Sequence, residues 1–235
     1  MLEGCGRMIG PYRCCTVVCG DCLQLMRELP DGCVDAVITD PPYGLGEAAG
    51  KNLSRGLLAD PTDYGYATWD DEPCPQLAID EIRRVSITQV IFGGNFFHLP
   101  PTPCWLVWDK RNNGDFADCE LAWTNLPKAI RIIHWLWNGM IRKNHEERFH
   151  PTQKPLGVME WCIQQAGNLE TILDPFLGSG TTAVAAKKLG RHFLGFEISP
   201  EYCRIAEERI ALVEAQPTLF EKPAEQMTLN REEGT

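Results

Sequence analysis

Short apolar runs alternate with helically spaced apolar positions along most of the chain. Cys15–Cys19 (CTVVC) and Val34–Thr39 (VDAVIT) are rich in β-branched residues and predict two strands. Between them Leu23, Leu25, Met26 and Leu29 fall close to helical spacing and predict a helix over Cys22–Leu29. Gln89–Phe92 and Trp105–Trp108 predict further strands. The later part repeats the alternation: helix Pro155–Ala166, strand Thr171–Leu173, helix Thr181–Leu189, strand His192–Phe196 and helix Pro200–Glu214. Ser199 followed by Pro200 makes a good helix start, a hydroxyl acceptor at the cap and a proline where no N–H bond is lost. Strands alternating with helices predict βαβ units: an α/β fold with a mostly parallel, twisted sheet and helices on both faces.

Two stretches break this pattern. Gly44–Pro75 is rich in Gly, Asp and Pro with no sustained period, and its length predicts a mobile loop over about 44–75. Leu126–His150 is irregular and basic: residues 126–154 hold six Lys or Arg against two Glu. That local surplus marks a surface for a polyanion, the alternative being an ordinary solvated face. Residues 1–15 read as a loose lead-in and 216–235 as a flexible acidic tail, which leaves one domain over 1–215.

Composition narrows the class. A chain of 235 residues with 44% hydrophobic content buries a single sizeable core. No apolar run approaches the roughly 20 residues that span a bilayer, and Met1–Gly10 lacks the apolar stretch of a signal peptide. Eleven cysteines without framework spacing predict reduced thiols and a cytoplasmic setting. A net charge of -10 argues against a protein that coats nucleic acid, though not against an enzyme with one basic surface.

Two segments carry candidate chemistry. In Thr171–Ala183 (TILDPFLGSGTTA) a strand, a Gly turn and a helix start follow one another. Gly178 and Gly180 let the backbone approach a ligand closely, and the following helix presents free N–H groups. Glu197, at the end of the next strand, is placed to hold both hydroxyls of a ribose. Gly178, Gly180 and Ala183 also fit the degenerate dinucleotide pattern, so a nicotinamide enzyme competes at this segment. In Val34–Gly44 (VDAVITDPPYG) a buried strand ends in Asp40, Pro41, Pro42 and Tyr43. Two prolines stiffen the loop. Tyr43 offers a flat π face, while Asp40 and the Pro41 carbonyl offer adjacent acceptors. That set suits a planar heterocycle with an exocyclic NH₂: the ring stacks, and the acceptors stabilise positive charge developing on the attacking nitrogen.

With Asp40–Tyr43 preceding Phe176-Leu-Gly-Ser-Gly180, the chain resembles the beta-class, circularly permuted DNA amino-methyltransferases that use S-adenosylmethionine. Gly20-Asp21-Cys22-Leu23 and His150-Pro-Thr-Gln-Lys-Pro155 resemble two further blocks of that family, in the same order. The blocks span most of residues 16–210, and the nicotinamide reading explains neither Tyr43 nor His150–Pro155. The resemblance implies a Rossmann-like methyltransferase fold and a role for each matching residue. Asp40 and the Pro41 carbonyl would polarise the target amine, Pro42 would stiffen the loop, and Tyr43 would stack on a base extruded from the duplex. Phe176, Gly178, Gly180 and Thr181 would shape the cofactor loop with Asp174 nearby. Glu197 would hold the ribose, Asp21 the cofactor adenine, and Thr152 with Lys154 the cofactor carboxylate.

Asp at the head of the Pro-Pro pair is typical, within that family, of N6-adenine enzymes, and Ser of N4-cytosine ones. Adenine in DNA is therefore the expected substrate, with N4-cytosine as runner-up and RNA as a competing polymer. Pro73-Cys74 and Pro103-Cys104 lack the Glu-Asn-Val partner of C5-cytosine enzymes. No metal is expected: Cys19-Gly-Asp-Cys22, with Cys14 and Cys15 close by, has no second Cys/His pair at finger spacing. Target recognition falls to a short insertion at about 110–150, which predicts a short or relaxed site, as in some phage-borne methyltransferases. No nuclease motif accompanies these blocks, which predicts a solitary enzyme rather than one fused to a restriction nuclease. Family members often pair as homodimers, and the sequence leaves that open. A reading from another class is a non-catalytic DNA- or clamp-binding protein, since Gln216-Pro-Thr-Leu-Phe220 resembles peptides that dock on the bacterial sliding clamp. The expected setting is the cytoplasm of a bacterial or phage-infected cell.

Overall fold

The computed structural model describes residues 6–44, 72–111, 117–137, 149 and 153–215. Ten strands and five helices are described: β1 (Met8–Ile9), β2 (Tyr12–Arg13), β3 (Thr16–Cys19), α1 (Cys22–Arg27), β4 (Val34–Thr39), α2 (Gln76–Val85), β5 (Ser86–Phe92), β6 (Trp105–Asp109), β7 (Cys119–Thr124), β8 (Arg131–His134), α3 (Leu156–Ala166), β9 (Thr171–Asp174), α4 (Thr181–Lys188), β10 (His192–Glu197) and α5 (Pro200–Ala215). A 3-10 turn, Gly94–Phe96, follows β5. The lead-in is more ordered than its composition suggests, because β1 and β2 form an antiparallel hairpin.

Eight strands form one sheet in the order β3-β10-β9-β4-β5-β7-β6-β8. All neighbours run parallel except β7, which is antiparallel to both β5 and β6. Period-2 alternation then fills two cores. Ala36 and Ile38 of β4 face a cluster completed by α3, α4 and α5, where Val158, Met159, Val184 and Ala206 are buried. Val37 faces the other, where α1 and α2 contribute Met26, Ile79 and Ile82. Helices thus cover both faces, as the alternating pattern predicts.

Two differences from the sequence reading have physical causes. Helix α2 was not anticipated, although its buried Ala78, Ile79, Ile82 and Val85 have helical spacing. It follows the Gly- and Pro-rich stretch directly, without a side-chain cap to announce it. The segment expected to be a recognition insertion, 110–150, supplies β7 and β8 to the sheet, while its residues 112–116, 138–148 and 150 lie outside the described residues. Strand β8 lies at the sheet edge, and its Arg131, Ile132 and His134 are exposed, so no alternation marks it. Residues 45–71 of the expected loop, Thr152 and the tail with Gln216–Phe220 lie outside the described residues.

The carboxyl ends of the central strands are tied by one buried acid. Asp174, closing β9, accepts hydrogen bonds from the Thr39 hydroxyl at the end of β4 (2.7 Å), the Thr182 hydroxyl of α4 (2.6 Å) and the Phe176 N–H (3.1 Å). Burial pushes its carboxyl up to about 6, and those three donors keep it from rising further. The folded state therefore binds this proton more tightly than the unfolded chain does. Its contribution to stability is complete below the ordinary carboxylate range and is lost as pH rises through about 6. Asp174→Asn is expected to flatten the fall in melting temperature between about pH 4 and pH 7, as thermal denaturation at the two pH values would show.

Candidate active site

The topology places the site. From β4 the chain crosses to β5 on one side, while β9 leads to β10 on the other, so β4 and β9 flank a point where the strand order reverses. Their parallel register, Ala36 beside Ile172 and Val37 beside Leu173, puts Asp40 next to the loop that begins at Asp174. Ligands of open α/β sheets bind in such crevices. Here the crevice is a cavity of about 370 Å³.

Both candidate segments open into it. Asp40 and Pro42 line one wall, and Asp174, Phe176, Gly178 and Thr181 another. Asp21, Lys154 and Glu197 complete it. Pro41, Tyr43 and Gly180 lie beside the cavity rather than in its wall.

The Gly turn is built for close approach. Gly180 has φ +86°, and a Cβ there would lie 2.8 Å from the Ala206 Cβ of α5. The Arg209 guanidinium, also on α5, donates to the Ser179 carbonyl and to its hydroxyl (2.9 Å), fixing the turn from outside. Glu197 accepts the Gly178 N–H at 2.7 Å and the Ser199 N–H at 2.8 Å. Burial nevertheless holds its carboxyl above the ordinary range, against those N–H donors. Asp21 caps α1, accepting from the Leu23 N–H at 2.8 Å and the Gln24 N–H at 3.3 Å.

Asp40 sits in a row of alternating charges that the sequence did not reveal. The Tyr43 hydroxyl donates to its Oδ1, and the Lys154 ammonium is ion-paired with its Oδ2. Lys154 Nζ also lies 3.0 Å from Glu120 Oε2, and Lys110 Nζ lies 2.6 Å from Glu120 Oε1. Burial, with the Glu120 charge adding to it, raises the Asp40 carboxyl despite the opposing Lys154. Burial works the same way on Glu120, but Lys154 and Lys110 together outweigh it and hold that carboxyl low. Burial would lower the Lys154 ammonium, yet the two carboxylates raise it, so it stays charged. Lys154, matched in the sequence to a cofactor contact, is thus committed to Asp40 and Glu120. Glu120 carries no linear signature: it is one acid in the strand Cys119–Thr124.

Aromatic and glycine neighbours fix Tyr43. Its ring stacks on Phe96 with centroids 5.0 Å apart and planes 18° apart, and Phe97 meets it edge-on at 6.3 Å. Gly93, at φ +64°, lies under the ring, where a Cβ would come within 2.1 Å of Tyr43 Cε1. Phe92-Gly93-Gly94-Asn95-Phe96, which the sequence reading passed over, is therefore the floor beneath Tyr43. Two adjacent glycines after a buried strand were the available signal.

The chain is similar to known DNA methylases. A family model described as DNA methylase matches residues 107–208. A putative methylase, YubD, of Escherichia coli K12 is 27% identical over 218 residues, covering 83% of this chain and 89% of its own. Over most of its length the chain is thus similar to a methylase. The type II methyltransferase M.HinfI of Haemophilus influenzae is 26% identical over 256 residues, with 88% of this chain and 71% of that one covered. Among solved structures, the M1.HpyAVI–SAM complex has a TM-score of 0.51 and 25% identity, covering 83% of this chain and 98% of that one. No helix among the described residues is long and apolar enough to cross a membrane.

The Gly93 contact predicts a specific defect. Gly93→Ala is expected to push Tyr43 off Phe96 and slow methyl transfer to DNA by at least about tenfold, or about 1.4 kcal/mol in the barrier. Steady-state methylation of the variant checks this.

Proposed function

We propose that this protein transfers the methyl group of S-adenosylmethionine to the N6 amine of adenine in DNA, with Asp40 and Tyr43 handling the base and the Phe176–Thr181 loop the cofactor. The observation that carries the reading is the shared cavity: Asp40 and the Gly turn open into one space of about 370 Å³. That space lies in the range of small-molecule sites, roughly 300–1,000 Å³. Its wall supplies an aromatic ring at Phe176, a close backbone approach at Gly178 and acids at Asp21 and Glu197, a donor and acceptor set that fits an adenosine bearing an amino-acid arm. When bound, S-adenosylmethionine supplies an electrophilic methyl group.

The chain's own residues do the rest. An exocyclic amine inside a duplex is paired and recessed, so the base must leave the stack at a cost of a few kcal/mol. Tyr43, already held flat by Phe96 and Gly93, offers a preformed stacking surface that returns about 1–3 kcal/mol. Asp40 must be ionised to accept an amine N–H and stabilise the positive charge that develops on nitrogen. The Lys154 ammonium opposes the desolvation that would otherwise neutralise that carboxyl. Each Asp40 oxygen has a second lone pair beyond the one used by Tyr43 or Lys154, so an amine hydrogen can be accepted without breaking the row. Asp rather than Ser ahead of Pro41-Pro42 favours adenine over cytosine on the resemblance given above.

Incubating the protein with unmodified DNA and tritiated cofactor, then digesting to nucleosides, tests the whole reading. The label is expected in N6-methyladenine; label in N4-methylcytosine overturns the base assignment, and none in either overturns the function. Asp40→Ala is expected to lower turnover by about a hundredfold or more, with cofactor affinity by calorimetry nearly unchanged. Lys154→Met removes the charge that opposes burial, so the Asp40 carboxyl rises further and ionises only at higher pH. The acidic limb of the rate–pH profile should move upward, and a limb that stays put would refute the role given to Lys154.

A further inference from the structure

At the opposite end of the same sheet lies a donor cluster that methyl transfer does not use. Cys14 and Cys15 precede β3, and His192 opens β10, whose carboxyl end carries Glu197. Five residues of strand, about 16 Å, separate His192 from that end. Cys14 Sγ lies 3.1 Å from His192 Nδ1 and 3.4 Å from Cys15 Sγ, and Cys15 Sγ lies 3.8 Å from the same nitrogen. In an extended strand, consecutive side chains point to opposite faces. Cys15 escapes that rule because its φ is +60°, a conformation that residues with a Cβ seldom adopt, and both thiols therefore converge on one imidazole.

We propose that Cys14, Cys15 and His192 form a binding site for a thiophilic divalent cation such as Zn²⁺, clamping the lead-in hairpin to the start of β10. Tetrahedral zinc with Zn–S of about 2.3 Å and Zn–N of about 2.0–2.1 Å requires S···S near 3.8 Å and S···N near 3.6 Å. The three observed separations differ from those values by half an ångström or less, so the donors need only small side-chain adjustments. Binding replaces the thiol protons, which pass to solvent as the two thiolates and the neutral imidazole take the ion. Cys14 is buried while Cys15 and His192 are half-buried, which places the cluster at the margin of the core. Linear spacing hides the set, because His192 stands 177 residues after Cys15.

Titration of the metal-free, reduced full-length protein with Co²⁺ reads the site directly. One equivalent should bind with thiolate-to-cobalt charge-transfer absorption, and Zn²⁺ should displace it and raise the melting temperature reversibly on chelation. Cys15→Ser and His192→Gln should each weaken binding at least about tenfold, since even the loss of a group that only supports a ligand costs about 10–100-fold, whereas Cys119→Ser, at an exposed thiol elsewhere, should not. The proposal is overturned if no stoichiometric absorption appears in the wild type, in which case the cluster holds only thiol–imidazole hydrogen bonds. It is equally overturned if the signal survives both ligand substitutions, which would assign the ion to other cysteines.

Discussion

Strands β4 and β9 arrive from distant parts of the chain and pair in parallel through Ala36–Ile172 and Val37–Leu173. Almost every other feature of the site depends on that pairing. Parallel strands deliver their carboxyl ends to the same edge, so the loop that follows Thr39 and the loop that follows Asp174 cannot avoid each other. The buried Thr39–Asp174–Thr182 contacts then lock two strands and one helix together beneath the cavity. Had β9 paired antiparallel, the Gly turn and Asp40 would stand a strand length apart, on the order of 15 Å.

The electrostatics at Asp40 show how a carboxylate is kept in a half-buried place. Isolated, it would shed its charge to escape desolvation. Lys154 offsets that, but an ammonium shared with Glu120 cannot serve Asp40 fully, and the Asp40 carboxyl stays above its ordinary value. Lys110 closes the row by satisfying Glu120, with its own ammonium 5.1 Å over the Trp108 ring. A row of this kind adds little net stability compared with apolar residues of the same volume. Its physical effect is to set the charge and orientation of one group.

Legibility of the chain followed the range of the interactions. The β-branched strand before Asp40, the Gly turn and the strand end at Glu197 are local patterns, and each stands where its sequence placed it. Strand β8 was hidden because edge exposure erases alternation, whereas β7 was legible in principle from the Asn113-Gly114 turn signal ahead of it. Glu120 and the pairing of Lys154 with Asp40 depend on contacts 114 residues apart, for which spacing offers no rule. Gly93 was legible in principle as half of a Gly-Gly pair, but its left-handed φ and the ring of Tyr43 over it, which together leave no place for a side chain, are visible only in the fold.

The hairpin-like stem at the end of β4 has an evolutionary consequence. The Cys74 N–H donates to the Pro42 carbonyl at 2.9 Å, and Tyr43 bridges Pro73, so the chain departs and returns through a single gateway. For an excursion whose ends are already joined, closure entropy grows only with the logarithm of its length, about 0.6 kcal/mol per doubling. Natural variation or engineering can therefore lengthen the chain between those anchors at little entropic cost, without rebuilding the cavity beneath them.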